Sequence, residues 1–226
     1  MDNRIIISIS LLLILSISIP NSFASLENST LDSQGNYANP SLGITFQAPE
    51  GWTVQEPNKS QSGAPEIAVI APYSSGFTAS ISFNIENANG TSLDDYIKNK
   101  NNQLMANNQS GNITFLSKQN DTIDGFVAKI SLLEENFTSQ NGNNIIKFKQ
   151  ATILANDKFY MITYANDENN FDADLSNYDQ LLDSIKFVSS DTSFLFDYVS
   201  IGIVVGALVV GVIIIIKRKK KLTKKT

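Results

Sequence analysis

The densest run of groups able to hold a cation is Asp167, Glu168, Asp172, Asp174, Asp179 and Asp183. Counted from Asp172 as the first position of a twelve-residue calcium loop, Asp174, Ser176, Tyr178, Gln180 and Asp183 fall on the ligand positions. Asp172, Asp174 and Asp183 are therefore the candidate metal ligands, and Ca²⁺ is the one cofactor this spacing suits, because it takes six to eight hard oxygens. The loop is incomplete: Asn177 stands where the sharp turn wants Gly, and Asp183 where a bidentate Glu would close the site. The same residues also read as helix punctuation, with Asp174 or Ser176 as N-cap and acids in the first turn. That second reading is preferred, and a diffuse attraction of divalent ions to acidic surface accompanies it.

Carboxylate-only hydrolysis needs two acids facing each other at about 5–9 Å. Asp94 and Asp95, like Glu134 and Glu135, are only sequence neighbours, and adjacent residues on a strand point to opposite faces. No catalytic residue is assigned. The chain has no histidine and no cysteine, which removes imidazole bases, His-activated nucleophiles, thiolates and disulfides. Phosphate-cradling Gly-rich loops are absent from the sequence. Trp52, Tyr37, Phe46 and Phe77 could form an aromatic platform, but packing beneath the first hairpin is the expected role.

Seven Asn-x-Ser/Thr triplets begin at Asn28, Asn58, Asn89, Asn108, Asn112, Asn120 and Asn136. Asn58, Asn89, Asn108 and Asn120 are expected on turns and are the glycan acceptor candidates, in an exported chain only.

Both ends of the chain carry membrane signals. Residues 5–19 are apolar behind Arg4, Pro20 ends the run, and Ser22 and Ala24 are small residues before Ser25. That is the layout of a cleaved signal peptide. Residues 199–216 hold 18 residues without a charge, about 27 Å of helix, enough for a bilayer core. Lys217, Arg218, Lys219, Lys220 and Lys221 follow at once, which places the tail in the cytoplasm. Gly202 and Gly206 make a GxxxG spacing that could bring two copies together. Between Ser25 and Tyr198 there are 9 lysines and 21 carboxylates, a charge of −12. Such a body repels phosphate backbones, so no nucleic-acid partner is expected.

The expected domains are a signal peptide (1–24), a polar linker (25–36), a folded domain (37–188), a juxtamembrane linker (189–198), a transmembrane helix (199–216) and a basic cytoplasmic tail (217–226). Within the folded domain, strands are expected at 43–47, 52–55, 66–71 and 78–86, a helix from Thr91 or Ser92, strands at 113–118, 126–134, 145–154 and 159–165, and a closing helix near 175–187. Alternation is clearest where Ile81, Phe83 and Ile85 share one face. Leu93, Tyr96, Ile97 and Leu104 make the helix stripe. The fold class is α+β: an antiparallel sheet flanked by helices, plus one C-terminal transmembrane helix.

The opening Tyr37-Ala38-Asn39-Pro40-Ser41-Leu42-Gly43-Ile44-Thr45-Phe46-Gln47-Ala48-Pro49-Glu50-Gly51-Trp52 resembles the start of PsbP-type domains, with their strand, Pro-x-Gly-Trp turn and second strand. The middle helix TSLDDYIKNKNNQLM and the ending NYDQLLDSIKFV are similar too. The resemblance covers most of 37–188. It implies an α/β/α sandwich and an exported or lumenal, mostly non-enzymatic protein. Known members help photosystem II retain calcium and chloride. The absence of histidine and the apolar C-terminal segment argue against carrying that role over. The expected function is a membrane-anchored, single-pass cell-surface domain that binds or scaffolds another envelope protein. An ion- or small-molecule-binding module serving a transporter or sensor is the alternative, and a carboxylate hydrolase comes third.

Overall fold

A computed structural model describes residues 29–57, 63–73, 77–108, 112–139 and 142–189. The signal peptide, the apolar segment 199–216 with Gly202 and Gly206, the basic tail, and the Asn28 and Asn58 triplet asparagines lie outside the described residues. Among the described residues no helix is long and apolar enough to cross a membrane.

Eleven strands and two helices are described. The strands are β1 (Thr30–Leu31), β2 (Asn36–Asn39), β3 (Ile44–Gln47), β4 (Thr53–Gln55), β5 (Ile67–Ile70), β6 (Ser80–Asn87), β7 (Ile113–Ile123), β8 (Phe126–Ser139), β9 (Gly142–Ala155), β10 (Lys158–Asp167) and β11 (Lys186–Phe187). The helices are α1 (Leu93–Asn107) and α2 (Phe171–Ser184). One sheet runs β4-β5-β6-β10-β9-β8-β7 and a smaller one runs β1-β2-β3-β11, each pairing antiparallel.

The sheet topology follows from alternation on the central strand. On β10, Tyr160, Ile162 and Tyr164 point one way and Phe159, Thr163 and Ala165 the other, and all six are buried. The first face joins the large core with Ile81 and Phe83 of β6, Ala151 and Ile153 of β9, Tyr37, Ile44 and Phe46 of the small sheet, and Phe171, Tyr178, Leu181 and Leu182 of α2. The opposite face takes α1, whose Tyr96, Leu93 and Ile97 pack with Phe159 and Leu154. Tyr96 stacks on Phe159 with ring centroids 3.9 Å apart. The large sheet is thus covered by α1 on one side and by α2 with the small sheet on the other.

Several elements differ from expectation for local reasons. The polar stretch read as a linker contributes β1, because the Asp32 carboxylate accepts from the Gln34 and Asn36 backbone N–H groups (2.8 and 2.9 Å) and turns the chain back on itself. Strand β7 continues to Ile123, five residues past the expected end. There Asp124 (φ +49°) and Gly125 (φ +82°) form a two-residue hairpin turn of the kind that needs positive φ at both positions. The closing helix begins at Phe171 and stops at Ser184, so Lys186 and Phe187 are free to pair with Thr45 and Ile44. Of the expected aromatic cluster, Tyr37 and Phe46 stack in the main core at 4.8 Å and Trp52 packs against it, whereas Phe77 belongs to a separate group with Leu133, Ile146 and Phe148.

Burial alone raises Tyr160 to about 12, and burial is the chief cause that brings Tyr164 to about 12. An unfolded tyrosine ionises near 10. Both shifts are upward, so their contribution to stability is complete below pH 10 and is lost as pH rises through 12. Urea midpoints followed from pH 8 to 12 should fall beginning near pH 10. Phenolate absorbance at pH 10 equal to that of seven free tyrosines at the same pH, with native circular dichroism retained, would contradict this packing.

Candidate functional site

The acidic stretch singled out from the sequence folds at the start of α2. Asp167 closes the turn ahead of the helix: its carboxylate accepts from the Asn169 and Asn170 backbone N–H groups (3.1 and 3.3 Å) and from Asn170 Nδ2 (2.8 Å). The N-cap is Asn170, which corrects the expectation of Asp174 or Ser176. Asp172 and Asp174 sit in the first turn, where the helix dipole favours negative charge. The signal for this earlier start was the pair Asn169-Asn170 following Asp167, residues that cap and turn well.

Beneath the turn lies Asn166, 2% exposed. Its Nδ2 donates to Tyr164 Oη (3.1 Å), to the Asn170 carbonyl (3.1 Å) and more distantly to Asp174 Oδ2 (3.4 Å). Tyr164 Oη in turn donates to the Phe171 carbonyl (2.9 Å). This buried arrangement ties the central strand to the first turn of α2, and sequence reading missed it because Asn166 stands at a strand end with no motif to mark it.

Asp183 lies in the last turn of the same helix. Eleven residues of helix rise about 16 Å, so Asp172, Asp174 and Asp183 do not converge and the calcium-loop register is occupied by continuous helix. Among the described residues no group of three or more Asp or Glu side chains is placed to hold a metal. Asp179 is bonded by Lys149 Nζ (2.6 Å), and Glu168 pairs with Lys147 (3.5 Å).

Of the acids considered for hydrolysis, Asp94 and Asp95 are engaged. Asp95 and Ser92 cap α1 reciprocally: Ser92 Oγ donates to Asp95 Oδ2 (2.7 Å) and accepts from the Asp95 N–H (3.2 Å). Asp94 reaches Lys129 (3.2 Å). Glu134 stands opposite Lys147 in the sheet, while Glu135 stands opposite Ile146 and points to the other face. Burial raises the Glu135 carboxyl above its ordinary range.

A second polar cluster links the small sheet to the chain after β4. Tyr37 Oη donates to Glu56 Oε1, Asn39 Nδ2 donates to the same oxygen (3.1 Å) and to Tyr37 Oη (3.2 Å), and Asn39 Oδ1 accepts from Ser41 Oγ (2.7 Å) and the Leu42 N–H (3.0 Å). Tyr37 is pushed well above the usual phenol range, first by burial and then by the Glu56 carboxylate. A phenol so protonated is a hydrogen-bond donor and a fastening, with the Glu56 carboxylate as its acceptor. Between α1 and the sheet, Tyr96, Lys100, Ser131, Gln150, Thr152 and Met161 line a cleft of about 10 Å³, room for one water.

The asparagine triplets separate by environment. Asn89 is exposed on the turn before α1, with φ +50°. Asn108, at the end of α1, spends its amide on the Asn112 and Ile113 N–H groups (2.7 and 3.2 Å) and on the Ile113 carbonyl (3.1 Å). Asn120 is not on a turn. It lies within β7 opposite Lys129, exposed, because that strand runs on to Ile123.

No family model matches the sequence, and no curated protein matches it. Solved structures do. The solution structure of a cyanobacterial PsbP protein, CyanoP from Synechocystis sp. PCC 6803, superposes with a TM-score of 0.50 at 13% identity, covering 74% of this chain and 97% of that one. LpqN of Mycobacterium tuberculosis, described as involved in cell envelope biogenesis, gives 0.44 at 12% identity over 64% of this chain and 83% of that one. The Saccharomyces cerevisiae Ran-binding protein Mog1p gives 0.42 at 13% identity over 66% and 92%. At these identities the likeness is one of fold, and it rests on the first of the three. The domain has a PsbP-like α+β fold.

Two outcomes follow. Asn166→Ala should lower stability by about 1–3 kcal/mol through unsatisfied partners at the α2 turn, read from the urea midpoint. Millimolar Ca²⁺ should shift the melting temperature no more than Mg²⁺ does. A saturable Ca²⁺-specific shift lost in Asp172→Asn/Asp174→Asn would restore the metal reading.

Proposed function

We propose that this chain is a non-catalytic, membrane-anchored extracytoplasmic domain that binds a basic surface of another envelope protein. The observation that carries the reading is how the acids are used. Asp174 leans on Asn166, Asp179 on Lys149, Asp94 on Lys129 and Asp95 on Ser92. Carboxylates spent on fastening the fold are poor candidates for acid–base work, which needs a proton-exchanging group aimed at a substrate. What remains outward on α2 is a stripe of Asp172, Ser176, Gln180 and Asp183, all exposed and spaced three to four residues apart. A surface charge of this sign steers basic partners and speeds encounter at low salt. The apolar segment 199–216 and the basic residues after it supply the anchor and its orientation.

The test uses the full chain in its membrane. A photoreactive residue at Gln180 should give a discrete adduct that weakens with added salt and is lost in Asp172→Lys/Asp183→Lys, while protease added to intact cells removes the folded domain. An adduct indifferent to both charge reversals would sink the assigned surface, and protection from external protease would sink the topology. If Gly202 and Gly206 bring two copies together, Gly206→Leu should reduce same-chain crosslinks in the membrane.

A further inference from the structure

Among the described residues the seven-stranded sheet ends on an open edge at β7. Among these residues β7 pairs with β8 on one side and with no strand on the other, and α1 meets it only at its start, where Leu104 packs with Ile113 and Phe115. Eight of its eleven residues are exposed. Uncovered edges of this length template pairing with another strand, and natural sheets blunt them with bulges and lysines. Here the bulge falls between Phe115 and Ser117, and Lys118 follows. Beyond Lys118 the strand pairs regularly with β8 from Gln119↔Ile130 to Ile123↔Phe126, and Asp121 is the single charge on that stretch.

We propose that Asn120, in the middle of that regular stretch, carries an N-linked oligosaccharide that closes the edge to strand addition. Asn120-Asp121-Thr122 is an acceptor triplet, and both Asn120 and Thr122 are exposed. The Asn120 side chain makes no hydrogen bond among the described residues, whereas Asn108 spends its amide on three, so the folded domain has room for a glycan at Asn120 at no cost in bonds. A glycan is bulky and solubilising, and one rooted inside the edge bars a second strand from lying alongside. In the transfer, Asn120 Nδ2 bonds the anomeric carbon of a lipid-phosphate-linked oligosaccharide. The bond from that carbon to the phosphate oxygen breaks, the lipid phosphate leaves, and one amide proton is lost. This inference rests on the exported topology proposed above.

The full chain is expressed with its own leader in cells that N-glycosylate exported proteins and is purified from membranes. Trypsin cuts after Lys118 and Lys129, so residues 119–129 form a peptide with this triplet alone. The expected result is that most of this peptide carries hexose and N-acetylhexosamine mass. Asn120→Gln and Thr122→Ala should each remove one glycan from the intact mass and produce concentration-dependent association in sedimentation. Thr122→Ser should keep the glycan and the monodisperse state. A bare peptide with Asn89 occupied on the same chain overturns the site while leaving the topology standing. A chain with no occupied triplet and no external protease sensitivity fails on topology first. Variants that stay monodisperse without the glycan overturn its guarding role.

Discussion

Three tyrosine hydroxyls hold the layers in register. Tyr160 Oη donates to the Leu42 carbonyl ahead of β3 (2.9 Å), Tyr164 Oη to the Phe171 carbonyl at the start of α2 (2.9 Å), and Tyr178 Oη from α2 back to the Ile162 carbonyl of β10 (3.0 Å). Each ring lies almost wholly out of water, where an unpaired hydroxyl would cost about 1–3 kcal/mol. The geometry satisfies each donor only when β10, the small sheet and α2 sit in one relative placement. Hydrophobic burial would tolerate some sliding; these bonds do not.

The closing strand adds a second fastening of the same kind. Asp124, on the β7–β8 turn, accepts from the Phe187 N–H (2.8 Å) and from Lys186 Nζ (3.0 Å). Ser184 Oγ accepts from the Gln47 N–H (2.9 Å). The last residues of the domain are thereby joined to both its first strands and its outer hairpin. Turns that look like mere connections are the points where distant segments meet.

Much of this was legible in the residues. Alternation placed β6, the turn residues Gln140-Asn141-Gly142-Asn143 and Asn156-Asp157-Lys158 placed β8 to β10 as consecutive hairpins, and the Leu93, Tyr96, Ile97 stripe placed α1. What escaped had no periodic signal. Strand β1 is two exposed residues held by a turn. The distal half of β7 is polar on both faces because it is an edge, so alternation had nothing to report, although Asp124-Gly125 announced the turn. The acidic stretch was legible as charge but not as geometry: Asp172, Asp174 and Asp183 look like a ligand set in one dimension and spread along a helix in three. Asn120 was misplaced onto a turn for the same reason that β7 was cut short.

The order of pairing has a kinetic consequence. Strand β6 finds its inner neighbour only when β10 exists, and β3 finds β11 only after nearly the whole domain has been made; the Gln47–Ser184 bond spans 137 residues. Sheets dominated by such distant pairings close slowly. The local β7–β8–β9–β10 meander can form early, from consecutive hairpins, and holds its inner edge, β10, unpaired until β6 docks on it. A domain assembled in this sequence spends its folding time with two open sheet edges, and among the described residues only one of them is covered when folding ends.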